Sequence, residues 1–166
     1  MSGFRISVIL PLLLLLQACG FHLRGPLELP PVLEVPYIQS DRPYQGISKV
    51  LRQQLRLAGA ETTDDLARAT GVLNVVAERS QRRILSVGST GRATEYELFE
   101  EVTFSVSDKE GNQLMRPQSV SMVRSLTFDE NELLGKVSEA EKVQGEMRQD
   151  LSRQILTRIS VAGLKL

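Results

Sequence analysis

Between residues 93 and 107 apolar and polar side chains alternate almost without a break. Tyr96, Leu98, Val102, Phe104 and Val106 fall on one side of that alternation, with Glu100 as its one exception. Glu95, Glu97, Glu101, Thr103 and Ser105 fall on the other. A period of two is the signature of a strand with one face buried and one face wet. A chain with this stretch at its centre must build a sheet and cover one side of it.

The neighbouring segments extend the same pattern. Residues 72–87 are rich in Val, Leu and Ile and read as a long strand, closed by a turn at Gly88 and Gly91. Asp108-Lys109-Glu110-Gly111 reads as a hairpin turn. Residues 118–128 alternate again, with Val120, Met122, Leu126 and Phe128 on one side. Three long strands joined by tight turns form an antiparallel meander.

Two helices flank this meander. Ile47, Val50, Leu51, Leu55 and Ala58 share a helical face, with Asp41 as a cap, Pro43 in the first turn and Gly59 as the stop. Leu133, Val137, Ala140, Met147, Leu151, Ile155 and Ile159 mark a longer final helix, capped by Asp129 or Asn131, with Gly145 a weak point. Upstream, Pro26, Pro30, Pro31 and Pro36 make residues 19–32 an extended leader, and a first strand fits residues 33–38. One apolar stripe per helix requires both helices to cover one sheet face. The expected fold is α+β: a two-layer sandwich whose four-stranded, largely antiparallel sheet carries two helices on one face, within a single domain of residues 33–166.

The start of the chain is unlike the rest. Residues 6–16 form an apolar run of 11, about half of the roughly 20 residues that span a bilayer. Leu16-Gln17-Ala18-Cys19-Gly20 follows, and Cys19 is the single cysteine, so no internal disulfide can form. An apolar residue and then a small one just before Cys resembles the lipobox of bacterial lipoproteins, although Gln17 replaces the usual small residue. That likeness implies removal of residues 1–18, a diacylglycerol on the Cys19 sulfur and an acylated amine. Two or three acyl chains hold firmly where one binds marginally. Gly20, rather than Asp, then favours the outer membrane. The alternatives are an ordinary signal peptide with a stray thiol, or a short membrane anchor.

Charge excludes more than it suggests. The chain has 20 basic and 20 acidic residues, and losing residues 1–18 removes only Arg5, leaving 19 − 20 = −1. Bulk charge therefore gives no reason to expect a nucleic-acid partner. His22, the only histidine, sits beside the lipid site, away from any nucleophile it could activate. No residues have metal spacing or phosphate-loop form, so neither an enzyme nor a cofactor is expected. One local excess remains. Arg79, Arg82, Arg83 and Arg92 lie within 14 residues that contain no acid, at one tip of the sheet. Guanidinium forks suit phosphates. The ordinary reading is solvated strand-end charge, partly neutralised by Glu95, Glu97, Glu100 and Glu101. Lys136, near the start of the last helix, opposes the helix dipole and is a weak hint or an exposed lysine.

Five motifs then align in order: Cys19-Gly20-Phe21-His22-Leu23-Arg24-Gly25; Leu51-Arg52-Gln53-Gln54-Leu55-Arg56-Leu57-Ala58-Gly59; Ala93-Thr94-Glu95-Tyr96-Glu97-Leu98; Arg124-Ser125-Leu126-Thr127-Phe128-Asp129; and Glu146-Met147. Together they resemble the LPS-assembly lipoprotein LptE (RlpB) family over nearly the whole mature chain. The resemblance implies a two-helix, four-stranded sandwich inside the lumen of LptD, a large outer-membrane β-barrel. It implies a role in assembling that barrel and in placing lipopolysaccharide in the outer leaflet. It also implies lipopolysaccharide contact through basic residues at the sheet tip and near the last helix: here Arg79, Arg82, Arg83, Arg92 and Lys136. Ser89 stands where some relatives carry a basic residue, and Lys136 matches a lysine of relatives if the preceding loop differs by one residue. The remaining 148 residues give a radius of gyration of about 15 Å, which needs a barrel wider than a porin. Two rivals stand beside this expectation: a purely structural plug and assembly chaperone, and an unrelated lipoprotein that binds an anionic ligand alone.

Overall fold

A computed structural model describes residues 28–127 and 135–164, with the side chains of 135–137 left out. The elements are β1 (Pro36–Gln39), α1 (Gly46–Leu57), β2 (Gly71–Val87), β3 (Ala93–Ser107), β4 (Gln113–Thr127) and α2 (Gly135–Val161). The sheet order is β1-β2-β3-β4. β1 runs parallel to β2, and the other two pairings are antiparallel. The α+β sandwich with a mostly antiparallel sheet is therefore present, and the one parallel pair follows from the crossover through α1.

The core lies between the helices and one sheet face. Ile47, Leu51 and Leu55 of α1 recur every fourth residue and are fully buried. Leu151, Ile155 and Ile159 of α2 do the same, joined by Met147 and Leu156. All but Met147 form one cluster with Leu73 and Val75 of β2, Val102, Phe104 and Val106 of β3, and Met115 and Val120 of β4. Gly145 interrupts the stripe of α2 without ending the helix.

Three boundaries differ from the sequence expectation, each for a physical reason. Leu33 is buried in a 3₁₀ turn, Pro31–Leu33, because the prolines fix φ and Leu33 N donates to Pro30 O at 2.8 Å. The strand begins at Pro36 instead. α1 starts at Gly46, five residues after Asp41, and Asp41 does not cap it. Gln45 N donates to Arg42 O in a separate turn, and the capping acceptor comes from β2: Ile47 N donates to Glu78 Oε1 at 3.0 Å. β4 starts at Gln113 and runs through Pro117, a residue an edge strand tolerates because its outer side needs no N–H. Phe128, Asp129, Asn131 and Leu133 lie outside the described residues, as does the side chain of Val137.

Candidate functional site

The two ends of the sheet are unlike. At one end, Gly71 pairs with Pro36 and is overlain by Val32, with the Val32 carbonyl oxygen 2.7 Å from where a Cβ would stand. The leader docks here: Ser160 Oγ of α2 donates to Glu28 O at 2.7 Å, and Leu29 packs on the core. At the other end, β2 emerges from the core while α2 still runs beside it, with Gln144 donating to Ser80 Oγ at 3.4 Å. Val75 is the last buried apolar residue of β2, and residues 79–85 are all exposed.

Register decides where the arginines point. A bulge between Val75 and Ala77 resets the alternation, after which Glu78 pairs with Val102, Arg79 with Glu101, Arg82 with Leu98 and Arg83 with Glu97. Arg82 therefore shares the helix-side face with Leu98, while Arg79 and Arg83 share the open face with Glu101 and Glu97. Arg82, Arg83 and Arg92 lie toward the β2–β3 turn, but Arg79 stands at the midpoint of β2, so the expected cluster of four at one tip is spread along the strand and split between two faces. Arg79 stacks over Phe99 at 5.9 Å and Arg82 over Tyr96 at 5.1 Å. Arg83 is tied to Glu97 at 2.6 Å. Arg92 is exposed in the turn where Gly88 N donates to Arg92 O, and among the described residues its side chain has no ion pair. Of the acids beside the cluster, Glu97 neutralises an arginine directly.

A shallow cleft of about 330 Å³ adjoins Arg82, lined by Ser80, Gln81, Ala140, Glu141 and Gln144. Below it lies a charge network that sequence reasoning missed. Glu100 is fully buried and accepts from Ser80 Oγ at 2.7 Å and Arg148 Nη2 at 3.2 Å. Arg148 Nε approaches Glu78 at 3.8 Å, and Glu78 also accepts from Arg42 at 3.2 Å. Glu100 Oε2 and Arg148 Nε are buried with no hydrogen-bond partner among the described residues. The signal was in the sequence as the one break in the β3 alternation. Cys19 and His22 lie outside the described residues; Lys136 falls in the first turn of α2, with its side chain outside them.

A profile of the LptE lipopolysaccharide-assembly family matches residues 33–159. The chain belongs to the LptE family. It is 31% identical over 157 residues to the LPS-assembly lipoprotein LptE of Pectobacterium atrosepticum, spanning 92% of this chain and 83% of that one. For the Yersinia pestis LptE the identity is 34%, over 92% of this chain and 75% of the other. A solution structure of lipoprotein B from Nitrosomonas europaea superposes with a TM-score of 0.70 at 29% identity, over 87% and 94% of the two chains. Rare lipoprotein B from Shewanella oneidensis gives 0.63 at 27% identity, over 76% and 93%. The LptE match begins at Leu33, inside the 3₁₀ turn where the described core begins, and ends at Ile159, the last buried residue of α2.

Proposed function

We propose that residues 1–18 are removed and that Cys19 is acylated. In this reading the leader of residues 19–32 joins the lipid to the domain of residues 33–166. The domain stands in the lumen of the LptD barrel on the periplasmic side of the outer membrane. It helps the barrel assemble, and its arginine-bearing end meets lipid A phosphates during passage. Beyond that processing the domain itself catalyses no reaction and uses no cofactor. The observation that carries this reading is the opposition of the two ends, the leader at one and Arg82, Arg83 and Arg92 toward the other. β2 alone has 17 residues, about 50 Å at the strand rise, against roughly 40–45 Å for a bilayer with its headgroups. An anchor in one leaflet can thus present guanidinium groups at the level of the other. Charge-assisted hydrogen bonds of about 1.5–3 kcal/mol each are weak enough to release a passing lipid.

Two measurements test it. Mass spectrometry of the exported chain should find acylated Cys19; an unmodified thiol overturns the anchor. Replacing Arg82, Arg83 and Arg92 with Glu should weaken lipopolysaccharide binding while LptD co-purification survives. Unchanged affinity overturns the cargo contact and leaves the second reading, a structural plug. The Arg83–Glu97 pair favours that second reading, because it spends one guanidinium inside the fold. If no barrel protein co-purifies at all, the chain is instead a free-standing binder of anionic ligands.

A further inference from the structure

The two outer edges of the sheet are finished differently. β4 is obstructed from Met115 to Ser119: Pro117 offers no N–H, the register shifts between Phe104 and Val106, and Arg158 of α2 donates to the Ser119 carbonyl at 3.1 Å. β2 is not. β1 covers only Gly71 to Asn74 and leaves the sheet after Gln39. Beyond that point no strand among the described residues lies beside β2, although Arg42 and Ile47 reach the Glu78 side chain, and a cleft of about 470 Å³ lined by Gln39, Asp41, Asn74, Val76 and Ser105 opens where β1 departs.

The uncovered edge is regular. From Ala77 to Ile84, β2 pairs with Thr103 to Tyr96 without a shift, between bulges at either end. That is eight residues, about 26 Å of straight edge. Half of its backbone groups point away from β3 and have no strand partner among the described residues. Arg79 and Arg83 rise from one face of this edge, Arg83 paired with Glu97, and Arg82 from the other; the one acid of the edge, Glu78, is engaged by Arg42 and by the Ile47 amide. An incoming strand therefore meets a guanidinium whichever way its alternate side chains point. Like charges oppose self-pairing through this edge, and acidic side chains are favoured.

We infer that the Ala77–Ile84 edge of β2 is a docking site for an extended acidic segment of a partner protein, added as a strand in the position β1 vacates. Recognition is by backbone amides, with arginines selecting charge. It does not depend on any phosphate contact.

The test uses the full lipoprotein in detergent micelles and two blocked eight-residue peptides. One alternates Glu and Thr, the other Lys and Thr. Followed by NMR, the acidic peptide should slow exchange of every second amide between residues 77 and 84 about tenfold, with the lysine peptide inert. Ser80→Pro and Gln81→Pro supply the control. Adjacent residues direct their amides to opposite sides, so one of the two keeps the β2–β3 ladder and its melting temperature, and that variant should lose the protection. The inference is overturned if neither peptide protects, if both protect equally, or if the folded proline variant is protected as before. Protection without peptide that grows with protein concentration would assign the edge to a second copy and overturn it too.

Discussion

Glu100 on β3 and Arg148 on α2 meet at 3.2 Å, with the carboxylate sealed between sheet and helix. The network around them ties β2, β3 and both helices, with Leu98 and Ala140 still buried beyond it. A buried carboxylate is tolerated only while its partners remain, since its desolvation must be offset by charge and hydrogen bonds.

Arg148→Ala should accordingly cost about 3 kcal/mol, read as a lowered urea midpoint, because it strands a buried charge. The double substitution Glu100→Met with Arg148→Leu should recover most of that loss. A double variant as unstable as the single one would refute the assignment of the penalty to the unpaired charge.

Glu97→Gln releases Arg83 without altering volume. If guanidinium groups at this end contact phosphates, lipopolysaccharide should bind roughly two- to fivefold tighter, the value of an exposed ion pair. Surface plasmon resonance with immobilised lipopolysaccharide would read this. No change would favour the purely structural plug.

Gly71→Ala should destabilise the leader end by about 1–3 kcal/mol, since its new methyl group would collide with the Val32 side chain and carbonyl, and a backbone oxygen cannot swing away. Thermal unfolding checks it, and a melting temperature equal to wild type would show that the leader turn can shift.

Asp108 closes the β3–β4 turn by accepting from the side chain of Asn112 at 2.7 Å and from its backbone at 2.7 Å. The Asn112 side chain is the main cause holding its carboxyl below the ordinary 3.8. A depressed folded value stabilises the protein above pH 3.8, and this contribution disappears as pH falls through the folded value. Asn112→Ala should therefore lower the melting temperature at pH 6, with the gap closing toward pH 2. A gap independent of pH would refute the link.

Much of this architecture was legible because strands and helices announce themselves by period. β3 matches its expected bounds of 93–107, and the α2 stripe from Ala140 to Ile159 is buried as its spacing requires. What escaped was long-range. Nothing near Gly46 reveals that its helix is capped by Glu78, 31 residues beyond Ile47. The arginine cluster was visible as a run of residue types, but its division between two faces depends on the bulge at Val76, which no local pattern announces. Glu100 was noticed as a fault in an apolar row; its partner lay 48 residues away.

The bond between Glu28 and Ser160 gives the protein a sense of up and down. Only eight residues separate Cys19 from Glu28, an extended reach of roughly 28 Å, while the arginine hairpin stands about 50 Å off. With fatty tails at Cys19, the tether would be too short for the sandwich to stand fully inverted, hairpin down, on the leaflet that holds it. An acylated Cys19 would thus bar inversion with a leash shorter than the body it restrains.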